Sequence, residues 1–142
     1  MLKALKNRLA GGANRLQGRT DLLEAVCSSA ALVSAADGDV ADGEIAATIK
    51  AVSASEALRA AFQPREIEQC IEKQLQRAAG GRVGRMQLMK ELEDVAANAD
   101  DAEMVLLTAL DVAESDGTID PAEKAVLGNI AKTLGLNLAN YE

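Results

Sequence analysis

Two stretches govern the reading of this sequence. The first is Ala35-Ala36-Asp37-Gly38-Asp39-Val40-Ala41-Asp42-Gly43-Glu44, and 79 residues on comes Glu114-Ser115-Asp116-Gly117-Thr118-Ile119-Asp120-Pro121-Ala122-Glu123. Both contain Asp-Gly-x-(Val/Ile)-x-x-x-Glu. Each follows an Ala-rich amphipathic segment and precedes another, so each reads as an acidic loop between two helices.

Outward from these loops, the apolar residues recur at helical spacing. Leu22, Leu23, Val26, Cys27, Ala30 and Val33 form one stripe, and Ile45, Ile49 and Val52 the next. Ile67, Cys70, Ile71, Leu75 and Ala78 follow, then Met86, Met89, Leu92, Val95 and Ala96. Val105, Leu106, Ala109, Leu110 and Ala113 precede the second loop, and Val126, Leu127, Ile130 and Leu134 follow it. Nothing alternates with period two, and Ala, Leu, Glu and Lys favour helix throughout. The expected fold is all-α, a compact bundle of about six or seven helices with an internally repeated helix–acidic loop–helix unit.

Punctuation agrees with this division. Gln63-Pro64 closes a short helix and puts Pro in the first turn of the next. Ala79-Gly80-Gly81 ends that helix, and Gly135 stands where a C′ glycine belongs after the last long one. Asp100-Asp101 is expected to open a helix near Ala102, with carboxylates at the positive end of its dipole.

Composition narrows the chemistry. The 142 residues include no His, no Trp, one Phe (Phe62), one Tyr (Tyr141) and two Cys. Without His there is no Ser-His-Asp or Cys-His site and no His-containing zinc site. Cys27 and Cys70 are too few and too far apart in sequence for a disulfide framework, and both read as core residues on apolar helical faces. Two aromatics give no stacking platform for single-stranded nucleic acid and little lining for a substrate pocket. No stretch reaches the length of a membrane span and no signal peptide is apparent, so a cytoplasmic setting is expected.

Charge is unevenly placed. The net charge of −7 divides into five basic residues and no acid over residues 1–19, then 10 basic against 22 acidic side chains, a net of −12. The expected organisation is a basic N-terminal tail over 1–19 and one helical domain over 20–142. With Leu2, Leu5, Leu9 and Leu16, the tail reads either as a solvated terminus or as a weak amphipathic helix that touches an anionic membrane. Residues 77–90 carry Arg77, Arg82, Arg85 and Lys90 without an acid. This basic elbow reads as a solvated helix face, or as a surface for an oppositely charged partner. Residues 100–123 carry eight acids without a base. An acidic chain is a poor ligand for a phosphate backbone, so nucleic acid is not an expected partner.

Two accounts of the loops follow from the same residues. One needs no ligand: Asp120-Pro121-Ala122-Glu123 is a capping box, Gly117 a turn residue, and Ile119 or Val40 a plug into the core. The other notes that Asp-Gly-x-hydrophobic-x-x-x-Glu is the second half of an EF-hand calcium loop. The first half is missing, since the positions for the first ligands fall on Val33, Ala35 and Val112, with Glu114 alone able to donate. One loop therefore supplies too few oxygens for Ca²⁺; two facing loops would supply enough. Asp37, Asp39, Asp42 and Glu44 would then meet Asp111, Glu114, Asp116, Asp120 and Glu123, and so many carboxylates together require a cation or bound protons. An all-oxygen set favours Ca²⁺, Mg²⁺ or Mn²⁺ over Zn²⁺ or Cu⁺. The candidate metal residues are Asp37, Asp39, Glu44, Asp116, Asp120 and Glu123. No organic cofactor and no catalytic residue is expected.

The paired loops, the helix carrying Val26-Cys27, and the ending Ala131-Lys132-x-Leu134-Gly135-Leu136 with Tyr141 resemble the TerB-like tellurite-resistance family over roughly residues 20–142. The resemblance implies a compact all-helical domain with its acidic residues clustered on one side. It also implies a place in a bacterial stress response to tellurite, other toxic ions and phage. For that family, divalent-metal binding or sensing is the usual proposal, and its acidic positions correspond to Asp37, Glu44, Asp116 and Glu123. Similar domains occur at the N-terminus of membrane-anchored DnaJ-like co-chaperones, so the resemblance also implies, as the alternative, a protein-interaction adaptor or docking domain in which the acidic loops are helix caps and a charged surface. The implied partners are thus a divalent metal ion and other stress-complex proteins, some membrane-associated, with a peripheral position at the inner membrane as an alternative location.

Overall fold

The structure, a computed structural model, describes residues 16–36, 42–114 and 118–141, with no description of the side chains of residues 42–44. Seven α-helices follow one another among them: α1 (Thr20–Ser34), α2 (Asp42–Ser53), α3 (Glu56–Ala61), α4 (Pro64–Ala79), α5 (Arg82–Val95), α6 (Ala99–Ala113) and α7 (Pro121–Thr133). A 3₁₀ turn, Leu138–Tyr141, closes the described chain. No strand occurs among the described residues, and the all-α expectation of six or seven helices is borne out.

Helix α1 is the hub. Every residue from Ala25 to Val33 is buried, and the helix packs against α4, α5 and α6, with smaller contacts to α2 and α7. A helix enclosed on all sides needs small residues where its neighbours come closest, and Ala25, Ser28, Ser29, Ala30 and Ala31 provide them. Leu22, Ile67, Ile71, Leu88, Leu92, Leu106 and Ile130 fill the space between helices and are fully buried. Each such side chain contributes roughly 1.5–3 kcal/mol through removal of its apolar surface from water. At the junction of the expected tail and domain, Leu16 is also fully buried.

The helix ends show how local sequence sets the boundaries. The Glu66 carboxylate accepts the Gln63 N–H at 3.2 Å at the start of α4, Pro64 takes its first position, and Gly80 follows its last residue. At the end of α7, Gly135 takes φ +77° while its N–H donates to the Lys132 carbonyl and that of Leu136 to the Ala131 carbonyl. This paired closure needs a left-handed residue, which glycine supplies without steric cost. The start of α6 differs from the expectation. It begins at Ala99, because the Asn98 side chain accepts the N–H groups of Asp100 and Asp101 at 3.0 and 3.1 Å.

Helix α5 also differs. Its core face is Gly84, Leu88, Leu92 and Val95 at i, i+4, i+8 and i+11. Met86 stands 70% exposed on the opposite side, so it does not belong to the core stripe. Gly84 lies where α5 crosses the end of α4. A Cβ built there would stand 1.7 Å from the Arg77 carbonyl oxygen, so only glycine permits this approach.

Candidate functional site

Whether the acidic loops can cooperate depends on how the helices enter them. Arg19, just before α1, donates to Asp101 in the first turn of α6 at 3.0 Å and to Asp21 at 2.9 Å. The N-terminal ends of α1 and α6 are thereby joined. Both helices have 15 residues, each about 22 Å long by the rise of an α-helix, and they lie in extended contact. They run in the same direction and finish toward the same end of the bundle. From Ser34 the chain enters the first loop, and from Ala113 the second. The Ser34 and Thr48 hydroxyls hydrogen-bond, fixing the end of α1 to the helix beyond its loop.

The electrostatics at this end are unfavourable to themselves. Neither α1 nor α6 has a basic residue in its last turn. Both helix dipoles therefore direct their negative ends, without compensation from their own side chains, toward carboxylate-rich loops. Asp111, in the last turn of α6, is raised from its ordinary value, first through desolvation and then through the nearby charge of Glu114.

Of the six candidate metal residues, Asp37, Asp39 and Asp116 and the side chain of Glu44 lie outside the described residues. Asp120 and Glu123 are described and come together as the capping box of α7. The Asp120 carboxylate accepts the Glu123 N–H at 2.8 Å, and the Glu123 carboxylate accepts the Asp120 N–H at 3.1 Å. Among the described residues alone, no group of three or more acids or thiols is gathered as a cation would need.

Two further features escape the sequence reading. Cys27 on α1 and Cys70 on α4 are neighbours that influence each other's titration although 43 positions separate them. Cys27 is buried, and its thiol is pushed up by the contact with Cys70 and by burial. Cys70 is partly buried and pushed down, by Cys27 and by the Gln74 amide, whose Nε2 lies 3.9 Å from the sulfur. The second feature is an open trough of about 910 Å³ among the end of α1, α5 and α7. Its walls include Leu32, Val83, Met86, Met89 and Val126, with Arg82, Arg85 and Lys90 along α5. The signal for it was present in α5, whose apolar residues are too many for one face.

A family model described as tellurite resistance protein TerB matches residues 23–142. The chain belongs to the TerB family. The match spans all seven helices but the first turn of α1, and both acidic loops fall inside it. No curated protein and no solved structure matches the chain. In this TerB domain no helix among the described residues is long and apolar enough to cross a membrane.

Proposed function

We propose that this TerB chain is a non-catalytic module of a tellurite- or toxic-ion-resistance response that binds a divalent cation through its two acidic loops. The observation that carries this reading is the shared direction of α1 and α6, tied at their starts by Arg19 and Asp101. Two uncompensated helix C-termini approach the loops from one side, and a hard cation offsets both the dipoles and the loop carboxylates. The donors are Asp37, Asp39 and Glu44 from one loop and Asp116, Asp120 and Glu123 from the other. The capping role of Asp120 and Glu123 is compatible with ligation, since each carboxylate has about four acceptor positions and a cap uses one. Ca²⁺ fits best by donor number, with Mg²⁺ and Mn²⁺ as alternatives. The absence of His and the scarcity of aromatics support a binding rather than a catalytic role.

The test is thermal unfolding after chelator treatment, with Ca²⁺, Mg²⁺ or Mn²⁺ restored at millimolar concentration. A ligand that binds only the native state raises the melting temperature. The Asp37→Asn, Asp116→Asn double variant should lose that rise while keeping the helical content of the wild type. An unchanged wild-type melting temperature with all three cations refutes the reading.

A further inference from the structure

We propose that the trough along α5 is a docking groove for an acidic amphipathic helix of a partner protein. Val83 and Met86 are 69% and 70% exposed, the only large hydrophobic side chains so exposed among the described residues. They belong to a second apolar side of α5, opposite the Gly84, Leu88, Leu92 and Val95 side that faces the core. Exposed apolar surface gathered in one concavity marks a binding surface more often than scattered hydrophobes do. The trough runs along α5 from Val83 to Glu93, about 15 Å or three helical turns, and Leu32 and Val126 supply its other walls. Met86 and Met89 give it unbranched side chains that adapt to a partner's shape.

Charge chooses the occupant. The side chains of Arg82, Arg85 and Lys90 make no hydrogen bond or ion pair among the described residues, whereas Arg77, outside the trough, is held by Gln74 and Glu91. Three free cations beside an apolar stripe match a helix with one apolar face and acidic flanks. Glu93, at the far end, is the single acid of the trough, and it sets a polarity in which the acidic turns of the partner lie toward Arg82. The chain's own basic N-terminus is the wrong occupant, since like charges would meet. A second copy is also wrong, because the apolar residues of its acidic segment, Val105 to Leu110, are already buried in α6.

The test uses a fluorescent synthetic peptide of roughly three to four helical turns, with Leu at i, i+3, i+4 and i+7 and Glu elsewhere. A second peptide has every Glu replaced by Lys. Anisotropy titrations with the full chain are run in excess chelator, so that the result is independent of the cation reading. The acidic peptide should bind at least about tenfold more tightly than its basic counterpart, with affinity falling as salt rises. Met86→Glu and the Arg82→Glu, Arg85→Glu double variant should each weaken it about tenfold or more, with unchanged thermal unfolding, since these side chains are outside the core. Amide shifts in the NMR spectrum should concentrate at Leu32, Val83, Met86, Met89 and Val126. Equal affinity for both peptides, indifference to Met86→Glu, or no binding at all overturns the proposal. So does capture by phosphatidylglycerol vesicles in place of the peptide, which would make the trough a lipid surface.

Discussion

Asp101 keeps only 3% of its side-chain surface while its partner Arg19 keeps 40%, so the ion pair joining α1 to α6 is buried at one end and wet at the other. The asymmetry decides which member is critical. Removal of Arg19 takes a cation from a desolvated carboxylate, whereas removal of both takes away the buried charge as well. Mutation of one partner of a buried pair is more damaging than mutation of both. Arg19→Met is therefore expected to lower the melting temperature more than the Arg19→Met, Asp101→Leu double variant, as differential scanning calorimetry will show.

The same arginine sets an acid limb. Arg19 holds Asp21 below its ordinary value of 3.8, chiefly by their hydrogen bond. A carboxylate depressed in the folded state adds stability above pH 3.8, and that stability is lost as pH falls through the lower native value. Urea midpoints between pH 5 and pH 2 should therefore fall less steeply with acid in Arg19→Met than in the wild type. Parallel limbs would show that Asp21 takes no part.

Gly84 makes a sharp packing prediction. A methyl group there collides with the backbone of Arg77, whereas Gly128, inside α7, has nothing within 4 Å of its built Cβ. Gly84→Ala should cost about 1–3 kcal/mol or more by urea unfolding, the usual range for overpacking. Gly128→Ala should instead be neutral or stabilising by up to about 1 kcal/mol, since alanine favours helix. Equal effects at the two glycines would mean that the α4–α5 crossing has slack.

The two thiols should differ in reactivity. Cys70 is partly exposed and its thiolate is stabilised by Cys27 and Gln74, while Cys27 is buried and held protonated. Iodoacetamide at neutral pH should modify Cys70 first, because the thiolate is the nucleophile. Cys27→Ala removes the neighbour that lowers the Cys70 thiol and should slow that reaction. Peptide mass spectrometry over a time course reads both, and faster labelling of Cys27 would contradict the assignment.

At Asp120 the cap and the charge can be separated. Asn accepts the Glu123 N–H as Asp does, so Asp120→Asn should stay within a few tenths of a kcal/mol of wild type in chelator. Asp120→Ala should lose about 1 kcal/mol under the same conditions. If the loops bind a cation, both variants lose part of the metal-dependent rise in melting temperature, although only one loses the cap.

Much of this domain is legible one residue at a time, because helical period, proline and glycine act locally. Ile67, Ile71, Leu75 and Ala78 announce the buried face of α4, and Gly135 announces the end of α7. What the sequence hides depends on which elements become neighbours. The period of α5 cannot say which of its two apolar sides meets the core, and so Met86 reads as buried. Asp101 reads as a dipole charge because Arg19 lies 82 positions away. Gly84 is visible as a glycine within a helix, but its reason is a carbonyl on another helix. For the acidic loops the residue types and their repetition are plain from sequence, while the common direction of the helices that deliver them emerges only from tertiary structure.

The pairing of α1 with α6 also sets an order of assembly. Five helices, α2 to α6, are made between the two loops, and neither Arg19 nor the first loop has its counterpart until Asp101 and then Asp116 to Glu123 have been synthesised. Contacts so distant along the chain form slowly, because a long segment must be closed before they stabilise anything. A ligand that bridges both loops therefore cannot nucleate folding from the N-terminal half. It can only recognise a finished domain, which makes such a ligand a reporter of completed protein as well as of its own concentration.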